Sequence, residues 1–152
     1  MFSFLKPQKK SFFTAAEEER MVQAIRSAEK QTSGEIRLFI ESHCRFMNPM
    51  DRALELFAER EMQKTQDRNG VLLYFAMKDH QLALLGDEGI HQKMGQAFWN
   101  NEVTNILSKF KQQEFVDGIC GMIKDVGDAL TTHFPYQRDD KNELSDEIVF
   151  GK

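Results

Sequence analysis

The strongest constraint on what this chain can fold into is the apolar stretch Val71-Leu72-Leu73-Tyr74-Phe75-Ala76-Met77. It is preceded by Arg68-Asn69-Gly70 and followed, after Lys78-Asp79-His80, by Gln81-Leu82-Ala83-Leu84-Leu85-Gly86-Asp87-Glu88-Gly89-Ile90. A strand this apolar belongs inside a sheet covered on both faces. The short connection makes it the first arm of an antiparallel hairpin whose second arm starts at Gln81. The Gly-Asp-Glu-Gly segment after Leu85 places two carboxylates on backbone that can bend sharply.

The flanking sequence supplies the layers that such a hairpin needs. Thr14-Ala15-Ala16-Glu17 has capping-box form, and the helix it opens carries Met21, Ile25 and Ala28 on one face. Gly34 leads into a first strand, Glu35 to Glu41, in which apolar and charged residues alternate. Asn48-Pro49 supplies a cap and a first-turn proline for a second helix with the stripe Met50, Ala53, Leu54, Phe57 and Ala58. From His91 onward Met94, Phe98, Val103, Ile106, Leu107 and Phe110 recur at helical spacing. After a break near Lys111-Gln112-Gln113, a last helix bears Phe115, Ile119, Ile123, Val126, Leu130 and Phe134 and is stopped by Pro135. Gly118, Gly121 and Gly127 weaken that helix by about 1 kcal/mol each relative to alanine. They are expected to let it pack closely against the sheet.

The order α-β-α-β-β-α-α predicts an α/β fold: a three-layer α/β/α sandwich with a mixed, mainly parallel sheet including one β-hairpin. The first strand, second helix and second strand form a right-handed βαβ unit. At 152 residues the chain is one domain with room for a real core. Residues 1–13 form a short lead, and residues 14–150 the domain, with an acidic tail from about residue 136. Phe2, Phe4, Phe12 and Phe13 cluster with Lys6, Lys9 and Lys10 in that lead, to cover the core edge or to contact a partner or membrane surface.

This topology has a consequence for the carboxylates. Two parallel strands start at the same end of the sheet, and the antiparallel third strand ends there. Glu35, Asp67, Arg68, Asn69, Asp87 and Glu88 therefore converge from three parts of the sequence. Clustered oxygen ligands are what calcium or magnesium requires, which makes Glu35, Asp67, Asp87 and Glu88 candidate metal ligands. Arg68, with Asn69, is a candidate for holding a substrate or an anion such as phosphate. The structural alternative is that Asp87 caps the helix beginning near Gly89-Ile90 and that Arg68 and Glu35 form a rim ion pair.

Charge and motif usage narrow the function further. A net charge of −4 announces no basic surface for nucleic acid. The apolar run is far too short to span a bilayer, and the N-terminus lacks the positive leader of a secretory signal. Cys44 and Cys120 lack metal-ligand spacing and read as reduced thiols, so the chain is expected to be soluble and cytoplasmic. His43-Cys44-Arg45 is a weak candidate for a reactive thiol, because neighbours on a strand point apart. His80 and His91 are expected to face solvent, and His133 suits the dipole at a helix C-terminus. Walker, phosphatase-loop, nucleophile-elbow and zinc-helix motifs are all missing from the sequence.

Several segments together resemble the TPM domain family. They are Thr32-Ser33-Gly34-Glu35-Ile36, Thr65 through Asp67-Arg68-Asn69-Gly70-Val71-Leu72, Gly86-Asp87-Glu88-Gly89-Ile90, Phe98-Trp99, Phe134-Pro135 and Asn142-Glu143-Leu144-Ser145-Asp146-Glu147-Ile148. The resemblance implies an α/β/α sandwich. It further implies either a domain that binds calcium at the sheet end and serves as an interaction or assembly module for a protein partner, or a metal-assisted acid phosphatase. Asp87, Glu35 and Asn69 match the family's acidic turn, Gly-Glu strand start and Asn-Gly pair. The acidic tail with Glu143, Asp146 and Glu147 resembles the family tail, which suggests that it folds back beside the sheet. Many members carry a signal peptide and a membrane anchor, and neither is expected from this sequence.

Overall fold

Each regular element begins where side-chain chemistry can satisfy its free backbone groups. In the computed structural model, which describes residues 12–136 and 148–151, helix α1 (Ala15–Glu29) opens with the capping box of Thr14 and Glu17. Helix α2 (Pro49–Glu59) opens with the Asn48 side chain accepting from Asp51 N at 2.8 Å, with proline in the first turn. Between them runs strand β1 (Glu35–Glu41), and a short 3-10 turn (Met62–Lys64) leads towards β2 (Gly70–Ala76) and β3 (Gln81–Gly86). Three helices follow: α3 (Glu88–Met94), α4 (Gln96–Lys111) and α5 (Phe115–His133). The expected helical stretch after His91 is thus split at Gly95, whose φ of 77° lies in the region that glycine tolerates.

The sheet has the order β3-β2-β1-β4. β1 and β2 are parallel, with Glu35 opposite Gly70 and Glu41 opposite Ala76. β2 and β3 form the antiparallel hairpin, with Val71 opposite Gly86. The fourth strand, β4 (Val149–Phe150), lies parallel to β1 with Val149 opposite Phe39. Sequence pattern did not announce it, because two residues carry no period.

Side-chain alternation divides the core into two. Ile36, Leu38, Ile40, Val71, Leu73 and Phe75 face a thick layer in which α1 contributes Met21 and Ile25, α4 Ile106, and α5 Ile119, Ile123, Val126 and Leu130. On the other face Phe39, Leu72, Tyr74, Ala76 and Ala83 meet Ala53, Leu56 and Phe57 of α2 and Met62 beyond it. The architecture is therefore an open α/β/α sandwich with one thick and one thin helical layer.

Three local expectations are corrected. The buried row of α2 is Ala53, Leu56 and Phe57, an i, i+3, i+4 set, while Met50 and Leu54 are exposed. Every residue of β1 is buried, including Glu35, Arg37 and Glu41, the charged members of its alternating pattern. The glycines of α5 admit neighbouring helices rather than the sheet. A Cβ on Gly127 would lie 2.6 Å from that of Ala28 in α1, one on Gly118 would lie 3.0 Å from Lys109 Cβ in α4, and Gly121 faces open space. At the lead, Phe13 is buried and Phe12 packs against the core, which is the core-edge role. Phe2, Phe4, Lys6, Lys9, Lys10 and the tail residues Glu143, Asp146 and Glu147 lie outside the described residues.

Candidate functional site

The strand pairing brings Glu35, Gly70 and Gly86 to one end of the sheet. The chain enters β2 through a tight turn in which Arg68 N donates to Thr65 O, and Asn69 N to Thr65 Oγ1, each at 3.2 Å. That turn holds Arg68 at φ 51°, a left-handed conformation uncommon for a residue with a Cβ. Asp87 caps α3, its Oδ1 accepting from Glu88 N at 2.8 Å. The first turn of α3 docks directly on the loop before β2: Gly89 N donates to Arg68 O at 2.8 Å. A Cβ on Gly89 would strike the carbonyl oxygens of Asp67 and Arg68, so only glycine permits this approach.

The docking aims the Arg68 guanidinium at both carboxylates of the acidic turn. Nε donates to Asp87 Oδ2 at 2.7 Å, Nη2 to Asp87 Oδ1 at 2.8 Å, and Nη1 to Glu88 Oε1 at 3.2 Å. This is the bidentate fork for which arginine is suited. The Asp87 side chain is 6% exposed and that of Arg68 41%, so a sheltered carboxylate is neutralised by a cation that reaches in from solvent. Hydrogen bonding to Asp87 raises the Arg68 pKa.

Of the six residues expected to converge, Arg68, Asp87 and Glu88 are in contact. Asn69 is buried in the same loop, its Nδ2 donating to Ser33 Oγ at 3.2 Å and its Oδ1 buried without a hydrogen-bond partner. Glu35 is buried at the start of β1, its backbone N–H directed at Asn69 O (3.4 Å). Asp67 is exposed on the loop. Among the described residues no three His, Cys, Asp or Glu side chains are grouped as a metal ion would need. The capping role foreseen for Asp87 is present, and Arg68 pairs with Asp87 and Glu88 rather than with Glu35.

The opposite end of the sheet holds a polar network that sequence reasoning missed. Glu41 accepts from Arg52 Nε at 2.9 Å, from Arg52 Nη2 at 3.2 Å and from the Tyr74 hydroxyl. Burial first, and then the bond to Glu41, push the Tyr74 hydroxyl far above its usual range, so it remains a donor. Nearby, His43 Nδ1 lies 2.7 Å from Asp79 Oδ1, and Cys44 N donates to Asp79 Oδ2 at 2.7 Å. The Cys44 thiol donates to Met47 O at 3.3 Å. The imidazole is thus bonded to Asp79 and the thiol to a carbonyl. The missed signal was the apolar face of α2: a helix with such a face must cover one side of the sheet, and then Glu41 and Arg37 are interior.

Two further groups stand apart from both ends. Trp99 Nε1 donates to His91 Nδ1 at 2.9 Å, so His91, though exposed, has a partner on α4. Glu102 of α4 is buried, and its carboxyl is pushed up to about 7 by burial and by a hydrogen bond with Asp125 of α5.

An open mixed sheet, helices on both faces and an Arg-bridged acidic turn at the hairpin end define an α/β/α domain with networks of polar side chains at the two ends of the sheet. The chain belongs to the TPM domain family, whose sequence pattern matches residues 8–129. It is similar to the BA42 protein of the psychrophilic bacterium Bizionia argentinensis, with 39% identity and a TM-score of 0.86, over 95% of this chain and 99% of that one. The N-terminal domain of the cg2496 protein of Corynebacterium glutamicum shares the fold at 10% identity, with a TM-score of 0.62 over 83% of this chain and 86% of that one. No curated protein matches the chain. Among the described residues no helix is long and apolar enough to cross a membrane.

Proposed function

We propose that this TPM domain is a binding module, without catalysis of its own, that takes up calcium or magnesium at the Asp87–Glu88 end of the sheet and presents that end to a protein partner. The observation that carries the reading is the position of the Arg68 guanidinium. It gathers Asp87 and Glu88 as a cation would, and it is the more exposed member of its pair with Asp87. A divalent ion takes its place by exchange, since hard cations prefer several oxygen ligands and carboxylates above all. The buried, unpartnered Oδ1 of Asn69 is a neutral oxygen on the same loop that fits a cation and not an anion. Asp67 is the remaining acid of the loop, and Glu35 stands at the adjoining strand start.

Exchange makes a distinctive demand on mutants. If the guanidinium competes with the ion, Arg68→Ala binds calcium more tightly than wild type, while Asp87→Asn binds it more weakly. Saturating ion, at about 100 times its Kd, stabilises the fold by about 2.7 kcal/mol, or about 5–10 °C in Tm for a domain of this size. Thermal unfolding of metal-stripped protein with millimolar calcium or magnesium measures this. A Tm unchanged in both wild type and Arg68→Ala defeats the proposal.

A further inference from the structure

The α2-facing side of β1 carries a second constellation, independent of the sheet-end reading. Arg37 lies on that side between Glu35 and Phe39 and is only 7% exposed. Its Nε is buried without a hydrogen-bond partner. A guanidinium has five donors and no acceptor, and a buried one left unsatisfied is costly. Arg60, exposed at the C-terminal end of α2, sits 5.3 Å from the centroid of the Phe39 ring, and Arg52 approaches the same ring at 5.7 Å. Arg37, Arg60 and Glu59 line an open cavity of about 340 Å³.

The guanidiniums along this face differ in their partners. Arg52 is paired with Glu41 and Glu55, and Arg68 with Asp87 and Glu88. Arg37 and Arg60 are in no ion pair among the described residues. Burial, and then the charge of Arg60, lower the Arg37 pKa, while Glu29 and Glu35 act the other way. Two cations facing one cavity are brought to rest by an anion between them. Neither the C-terminal end of α2 nor the Glu59 carboxylate favours an anion, so the two guanidiniums must carry the binding.

We propose that Arg37 and Arg60 form a binding site for a small doubly charged oxyanion, in the cavity between β1 and the C-terminal end of α2. Arg37 supplies a charge fixed in the sheet. Arg60, exposed at the end of α2 and resting on Phe39, supplies the second. Phosphoryl and dicarboxylate groups both satisfy this chemistry, and separate probes distinguish them.

The test is a residue-resolved NMR titration of the full chain with inorganic phosphate and, separately, with succinate, at an ionic strength held constant with sodium chloride. The expected result is saturable shifts of the Arg37 and Phe39 amides, the Glu59–Glu61 amides and the Arg37 Nε–H signal. Saturation by phosphate alone assigns a phosphoryl ligand, and by succinate alone a dicarboxylate. Arg60→Ala, at an exposed position that leaves the core intact, should weaken binding at least about tenfold, the scale of one charge-assisted contact. Shifts that stay linear with both probes, or binding unchanged in Arg60→Ala, overturn the proposal.

Discussion

Replacing Glu41 by glutamine tests whether the charged residues of β1 are integral to the packing of α2 on the sheet. The substitution preserves shape and removes only the charge. In the structure the Glu41 side chain is 7% exposed and receives three donors, two from Arg52 and one from Tyr74. Glutamine still offers one oxygen to Tyr74, but its amide turns two N–H donors towards a guanidinium that needs acceptors. Breaking a buried ion pair from one side costs about 3–5 kcal/mol. Arg52 is 23% exposed and retains Glu55, so the cost falls to about 2–3 kcal/mol here. That corresponds to a drop in Tm of about 5–10 °C. Urea unfolding followed by circular dichroism and by the fluorescence of Trp99, the single tryptophan, measures it directly. The midpoint should fall with the slope unchanged. A double-mutant cycle with Arg52→Met should return a coupling above about 1 kcal/mol. A Glu41→Gln protein within about 0.5 kcal/mol of wild type would refute the reasoning, because the network would then be a solvated ornament.

The remaining predictions follow from individual sites. Gly121→Ala, in open space on a helix interior, should stabilise the protein by about 1 kcal/mol, whereas Gly127→Ala, pressed on Ala28, should destabilise it by about 1–3 kcal/mol; equal effects in chemical unfolding would contradict the packing described. Glu102 binds its proton more tightly in the folded state, with a pKa of about 7, than in the unfolded chain, near 4.3. Its stabilising contribution is therefore full below about pH 4 and lost as pH rises to about 7, and Glu102→Gln should remove a decline on the order of 2 kcal/mol between pH 5 and 8. An unaltered pH profile in that variant would exclude the effect. Asp87→Asn keeps a capping side chain and Asp87→Ala does not, so the alanine variant should be less stable by about 1 kcal/mol in the same unfolding assay.

Much of the fold was legible because it rests on local chemistry. The capping box at Thr14, the Asn48-Pro49 helix start and the apolar strand β2 (Gly70–Ala76) each announce themselves through residue types that leave the backbone few alternatives. The convergence of Gly34-Glu35, Asn69-Gly70 and Gly86-Asp87 at one end followed from strand direction alone. Burial set by the far layer was not legible. Arg37 and Glu41 look solvent-facing until α2 is laid over them, and Leu56 looks polar-flanked until the helix is rotated onto the sheet. β4 escaped because a two-residue strand is defined by its neighbour Phe39–Ile40 and not by its own pattern. At the candidate site, strand direction placed Glu35, Asp87 and Glu88 at one end of the sheet. It could not reveal that Arg68, strained into the left-handed region by the Thr65 turn, already occupies the space between Asp87 and Glu88.

The claim that a divalent cation exchanges with Arg68 at the hairpin end is tested most directly by titrating calcium into metal-stripped, isotope-labelled protein and following every amide together with the Arg68 Nε–H signal. The account predicts saturable shifts centred on Asp67–Gly70 and Asp87–Gly89, extending to Glu35, with the Arg68 signal moving as its bond to Asp87 is given up. Calcium shifts that never saturate, or that saturate elsewhere while the Arg68 signal stays still, would contradict it.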